Sequence, residues 1–274
     1  MPHISTQPLP NIVRQHVDEA TMLRMQRSVV RRRPDVRLEA LARLDERLLA
    51  HLDGVAVAGD AGRQLAFEAL DAVGVGEVFV AAVCALQARD AEALTRVVDL
   101  AQKHADGERG FVSALGWVSA QDLQGTVRAL LGSKVAAHRA WALTACAMHG
   151  VDPGVVLVQA LQDADVHVRA AAWRAAAQLG RLDLADAARQ AAMHADDPVD
   201  RRAAAWALTL WGRGDHDVVR PCLLSPMAGT PALPEEGAHR LATMACSMAW
   251  GREQIRDMGG RAESSLPVKR RMMR

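Results

Sequence analysis

Asp163-Ala-Asp165-Val-His-Val-Arg169-Ala-Ala-Ala172-Trp-Arg-Ala175-Ala-Ala-Gln-Leu-Gly180 is the stretch that decides the fold. Asp165 stands where a helix N-cap belongs, because a carboxylate accepts from the free N–H groups of a first turn and suits the positive end of the dipole. The run after it is dominated by Ala, the strongest helix former. Gly180 suits the left-handed position just past a helix end. The stretch predicts a capped helix of about three turns.

The pattern recurs. Arg139, Arg169, Arg201 and Arg240 are each followed 11 residues later by a glycine: Gly150, Gly180, Gly212 and Gly251. Three residues after each Arg comes Ala142, Ala172, Ala204 or Thr243, and six after comes Ala145, Ala175, Ala207 or Cys246. Positions three and six residues on share a helix face, so a neighbouring helix can come close there. Four residues before the Arg stand Val135, Asp165, Asp197 and Glu236. Shorter apolar segments follow the first three glycines, from Val155 to Leu161, Leu182 to Met193 and Val218 to Leu224. The result is a helix–turn–helix unit of about 30 residues whose helices cannot bury their apolar faces alone, so the units must stack into an α-solenoid.

Composition agrees. Of 274 residues, 52 are Ala, while Phe numbers three, Tyr none and Trp six. Strands favour aromatic and β-branched residues, so this balance argues against a β-sandwich. With half the residues apolar and a quarter charged, the chain reads as globular rather than disordered. No run approaches the roughly 18 to 20 apolar residues of a membrane helix. Residues 1–33 and 252–274 each carry a charge of +4, leaving −7 for the body. A nucleic-acid groove needs the opposite sign there, so no nucleic-acid partner is expected. Cys84, Cys146, Cys222 and Cys246 form no C-x-x-C pair and sit in apolar contexts. Together with the lack of a secretory n-region, they point to a reduced cytoplasmic protein without disulfides or zinc.

The unit around Asp163–Ala172 resembles the HEAT-like repeats first recognised in phycobilisome lyases. That resemblance implies a right-handed α-solenoid with an Asp–Arg ladder between adjacent repeats. It makes Asp165/Arg169 and Asp197/Arg201 the expected rungs, with Arg139 and Arg240 at equivalent positions and Asp163 and Arg202 as nearby candidates. A second string, Leu41-Ala-Arg-Leu-Asp45-Glu-Arg47-Leu-Leu-Ala-His51-Leu-Asp53-Gly54 followed by Val57-Ala-Gly59-Asp-Ala-Gly62, is similar to the N-terminal signature of a proteobacterial family of HEAT-like-repeat proteins. Gln15-His16 and Ser113-Ala-Leu-Gly-Trp117 fit the same family, and the resemblance spans roughly residues 12 to 251. Members are often encoded beside type VI secretion genes, which implies an accessory or immunity-type partner in that setting.

The first third is helical but fits the repeat poorly. It has no Pro from Asp35 to Asp152, which permits long helices. Helices are expected at Val13–Val30, Leu38–Leu52, Arg63–Val73, Val78–Ala88, Ala91–His104, Gly110–Val118 and Leu123–Leu131. The division predicted is a divergent helical region over 1–131, HEAT-like repeats over 132–251 and a basic flexible tail over 252–274. Four prolines between Pro221 and Pro234 mark an irregular insertion. The pattern stops after Gly251 on Met244, Met248 and Trp250, whereas chains of the resembling family continue with further repeats. Two readings stay open for that end: an interrupted array, or an open face that docks another chain or a second copy.

Catalytic constellations are weak. The di-iron deoxyhypusine hydroxylases of the HEAT class use His-Glu dipeptides, and none of the ten His here precedes a Glu. His194-Ala-Asp196-Asp197 and Asp215-His216-Asp217 sit at inter-helix turns, where Asp caps and His is solvated, so no metal is expected. There is no G-x-S-x-G elbow, and Gly74-Val-Gly76 lacks the third Gly and the preceding strand of a phosphate loop. Trp141, Trp173 and Trp206 do not share a register and are expected to fill the core, as are Trp211 and Trp250 before their glycines. The expected function is a non-enzymatic protein-binding module without cofactor. The alternative is a HEAT-class enzyme acting on a nucleic base or cofactor.

Overall fold

The computed structural model describes residues 8–31, 33 and 35–224. Every regular element among them is a helix, so the protein is all-α. No helix among the described residues is long and apolar enough to cross a membrane. The chain divides into two compact units, Met1–Ala129 and Leu130–Arg274.

The first unit is built on α1 (Pro10–Val30), α2 (Leu38–Val57), α3 (Asp60–Glu68), α4 (Val75–Ala88), α5 (Ala91–Lys103) and α6 (Ala105–Trp117). Helix α4 is apolar on all sides, from Val78 to Leu86, and every residue in that span is buried. A helix of that kind belongs in a core, and α1, α3, α5 and α6 pack around it. Gly76 lets α1 come close to α4: a Cβ there would lie 2.4 Å from the Thr21 backbone oxygen and 2.7 Å from Thr21 Cγ2. Phe79 meets Trp117 edge-on, with ring centroids 5.6 Å apart, and the Arg24 guanidinium lies over the Phe79 ring, 5.4 Å from its centroid. Arg24 is buried, and with serine hydroxyls of Ser28 and Ser113 as its side-chain partners its pKa falls to about 10, chiefly through desolvation.

Several boundaries differ from those expected. Helix α2 runs through Gly54 to Val57 because Leu52 and Val55 on either side of it are buried, and tertiary packing outweighs the roughly 1 kcal/mol propensity cost of one glycine. The predicted helix Arg63–Val73 begins earlier, at Asp60, and tightens after Glu68 into a 3₁₀ turn, Ala69–Asp71. Helix α7 is shorter than predicted, Thr126–Leu131, after a series of turns.

The second unit has two layers. The long helices α8 (Ala136–Met148), α10 (Val166–Leu179) and α12 (Pro198–Leu210) form one, with α10 packed on both neighbours. The short helices α9 (Val155–Ala160), α11 (Ala185–His194) and α13 (His216–Leu224) form the other, with α9 against α10, α11 against α12, and α13 against α11 and α12. The alanines at the third and sixth positions after each Arg are all buried to 1% exposure or less. Gly150, Gly180 and Gly212 all take positive φ, at 66°, 71° and 66°, so each long helix ends in the left-handed turn that Gly permits. Pro221 lies inside α13, so the proline-rich segment begins as helix rather than as an irregular insertion. The rest of that segment, the tail from Arg252 and Gly251 lie outside the described residues.

Gly76→Ala tests the helix crossing in the first unit. Removing a helical glycine gains about 1 kcal/mol in propensity, but the new methyl meets backbone rather than a side chain that can move. Overpacking of this kind costs about 1–3 kcal/mol. The variant is therefore expected to unfold at a lower urea concentration than the parent chain.

Candidate functional site

The arginine in the first turn of each long helix binds back to the preceding turn, and in the first two helices it also reaches forward. Its Nη1 donates back to carbonyls of the turn it has just left: Arg139 to Ser133 and Lys134, Arg169 to Asp163 and Ala164, Arg201 to Ala195 and Asp196. The remaining nitrogens of the first two reach forward to the next unit. Arg139 forks onto Asp163, with Nε at 2.8 Å and Nη2 at 2.7 Å. Arg169 Nε donates to Asp200 at 2.6 Å, and Trp173 Nε1 donates to the other oxygen of the same carboxylate at 3.0 Å. Asp163 Oδ1 also accepts from the Asp165 backbone, so one carboxylate shapes its own turn while receiving the preceding unit.

These pairings correct the partners expected by resemblance. Asp165 and Asp197 do not meet Arg169 and Arg201. Asp165 caps α10, accepting from the N–H groups of His167 and Val168, and Asp197 caps α12 through Val199. Asp163 stands six residues before Arg169, and Ala195 occupies the equivalent position before Arg201. With no carboxylate there, Arg169 turns to Asp200 in the first turn of α12. That alanine is the sequence signal by which Asp200 could have been found. Arg202 Nε donates to the Cys222 carbonyl, tying α12 to α13. Arg240, Met244, Met248 and Trp250 lie outside the described residues.

The opposite face of the long-helix layer is exposed. Trp141 and Trp173 are 3% exposed, as core filling requires, but Trp206 is 38% exposed. Trp206 comes five residues after Arg201, and the equivalent positions in the two preceding long helices are Thr144 and Arg174. Met148, nine residues after Arg139, shares that face and is 43% exposed. Arg174 is exposed too, and no hydrogen bond or ion pair with a described residue engages it. The protein around it lowers its proton affinity by desolvation, and no carboxylate among the described residues acts to restore it. An uncompensated guanidinium therefore stands in register with an exposed indole on adjacent helices.

Elsewhere the described residues bring no group of three or more His, Cys, Asp or Glu to one point. A groove of about 510 Å³ in the first unit is lined by Met25, Ser28, Val29, Val75, Glu77 and Asp106. Glu77 Oε2 is buried there with no hydrogen-bond partner among the described residues. The thiols of Cys84, Cys146 and Cys222 are buried and pushed above their ordinary pKa by desolvation, that of Cys84 to about 11, so none is a poised nucleophile. No protein-family model, curated protein or solved structure matches this chain.

Asp200→Ala removes one carboxylate and strands two donors, the Arg169 guanidinium and the Trp173 indole. A loss of about 3 kcal/mol in unfolding free energy is expected by urea denaturation. Asp163 makes a separate, pH-dependent prediction. The Arg139 hydrogen bonds hold its carboxyl below the ordinary range. Its contribution is complete above the unfolded carboxylate pKa of about 4 and is lost as pH falls through the lower folded value. Asp163→Asn should therefore be less stable than the parent at pH 7, and the difference should shrink below about pH 4. Urea midpoints measured from pH 7 down to pH 2.5 check both points.

Proposed function

We propose that this chain is a non-enzymatic protein-binding module, a right-handed α-solenoid of HEAT-like repeats that grips its partner with the exposed face of its long-helix layer. The observation that carries this reading is the pairing in register of uncompensated Arg174 with exposed Trp206. Trp and Arg are the residue types that dominate binding hot spots. The guanidinium calls for a carboxylate or carbonyl cluster on the partner, and the indole and Met148 call for an apolar contact beside it. The Asp–Arg rungs serve the register of the layer rather than the contact itself. The family resemblance at Leu41–Gly54, Val57–Gly62 and Ser113–Trp117 supports a cytoplasmic accessory or immunity-type role in type VI secretion, with an effector or adaptor as partner.

The test is co-expression with the product of the adjacent gene, followed by size-exclusion chromatography with light scattering and titration calorimetry. A stable complex is expected with the parent chain. Arg174→Glu and Trp206→Ala should each weaken it at least about tenfold, equivalent to 1.4 kcal/mol, while leaving the circular-dichroism melt unchanged. Undiminished binding by both variants would remove this face from the reading. Absence of a complex with the parent chain would remove the accessory or immunity role.

A further inference from the structure

The histidines of the N-terminal signature, far apart in sequence, meet in space. His16 on α1 and His51 on α2 place their Nδ1 atoms 3.1 Å apart, with ring centroids at 5.2 Å. Both residues are half-buried, so the pair is held by the fold yet open to solvent. Gly54, one turn after His51, makes room for it: a Cβ there would lie 2.7–2.8 Å from three atoms of the His16 ring. Burial and the neighbouring His16 lower the proton affinity of His51, which keeps a neutral imidazole available. Glu19, three residues after His16 on α1, acts electrostatically on His51 in the direction that favours a cation, and Arg47 opposes it.

As a hydrogen bond, the pair needs one ring to donate and the other to accept. The same spacing suits a shared ion. Two imidazole nitrogens bound at about 2.0–2.1 Å to one metal stand about 3.1 Å apart when they subtend about 100°. We propose that His16 and His51 form a two-imidazole site for a borderline divalent ion such as Zn²⁺ or Cu²⁺, with water completing the shell. Imidazole is the ligand type those ions prefer. Binding replaces the proton between the rings with the ion: the ring that carried it on Nδ1 gives it up and takes one from solvent on Nε2, so both ligands stay neutral imidazoles and no net proton is released. The ion then clamps α1 to α2 across the region that carries the signature.

The full-length chain, stripped with EDTA, is titrated with ZnCl₂ by calorimetry and melted with and without the metal. One site of micromolar affinity and a higher melting temperature, reversed by EDTA, are expected. Cu²⁺ loaded at one equivalent should show electron-paramagnetic couplings from two nitrogens. His16→Ala and His51→Ala should each weaken binding at least tenfold and abolish the two-nitrogen signature. Gly54→Ala removes no ligand but displaces the His16 ring, so it should weaken binding while the helix content stays intact. An unchanged melting temperature in the parent chain, or equal affinity in parent and His51→Ala, would overturn the site.

Discussion

Two helices lie as close as the side chains between them allow. In the second unit that limit is set by alanine at the third and sixth positions after each arginine, all of it buried. Small side chains bring α8, α10 and α12 close, and closeness lets one arginine span from its own turn to the next unit. Longer residues at Ala142, Ala172 or Ala204 would push these helices apart, and Arg139 and Arg169 would lose their forward carboxylates. Alanine burial contributes little area per residue, so the arginine bonds supply register where apolar contact supplies too little of it.

The two rungs solve one geometric problem with different residues. Asp163 receives Arg139 from a turn, and Asp200 receives Arg169 from the first turn of a helix. Both carboxylates are well shielded, with side-chain exposures of 14% and 8%. A shielded ion pair repays its desolvation only when the remaining bonding positions are filled. Here they are: the Asp165 amide completes Asp163, and the Trp173 indole completes Asp200. Trp173, four residues after its arginine, faces that carboxylate and is buried, whereas Trp206, five residues after its own, falls on the exposed face.

The first unit depends on a different device. Its core is a single apolar helix, α4, which needs neighbours on every side. Glycine rather than alanine permits close approach, at Gly76 against Thr21 and at Gly62 against Val55. Charged residues enter this core only under constraint, as Arg24 does with two serine hydroxyls and an aromatic face.

Much of this was legible in the sequence, because helix formation is local. Caps at Asp165 and Asp197, left-handed glycines at 150, 180 and 212, and buried alanines at fixed spacing all follow from residues within a turn or two of one another. The helical class and the repeat register needed nothing else. What the tertiary structure decided was which distant groups meet. Local sequence marks Asp165 and Asp197 as caps, but which carboxylate an arginine reaches is decided only by the placement of one helix against the next, which makes Asp163 and Asp200 the rungs. The same holds for His16 beside His51, and for Arg174, which no described carboxylate engages, in line with Trp206. These are relations between helices, set by packing distance and orientation, and no periodicity within a single helix encodes them.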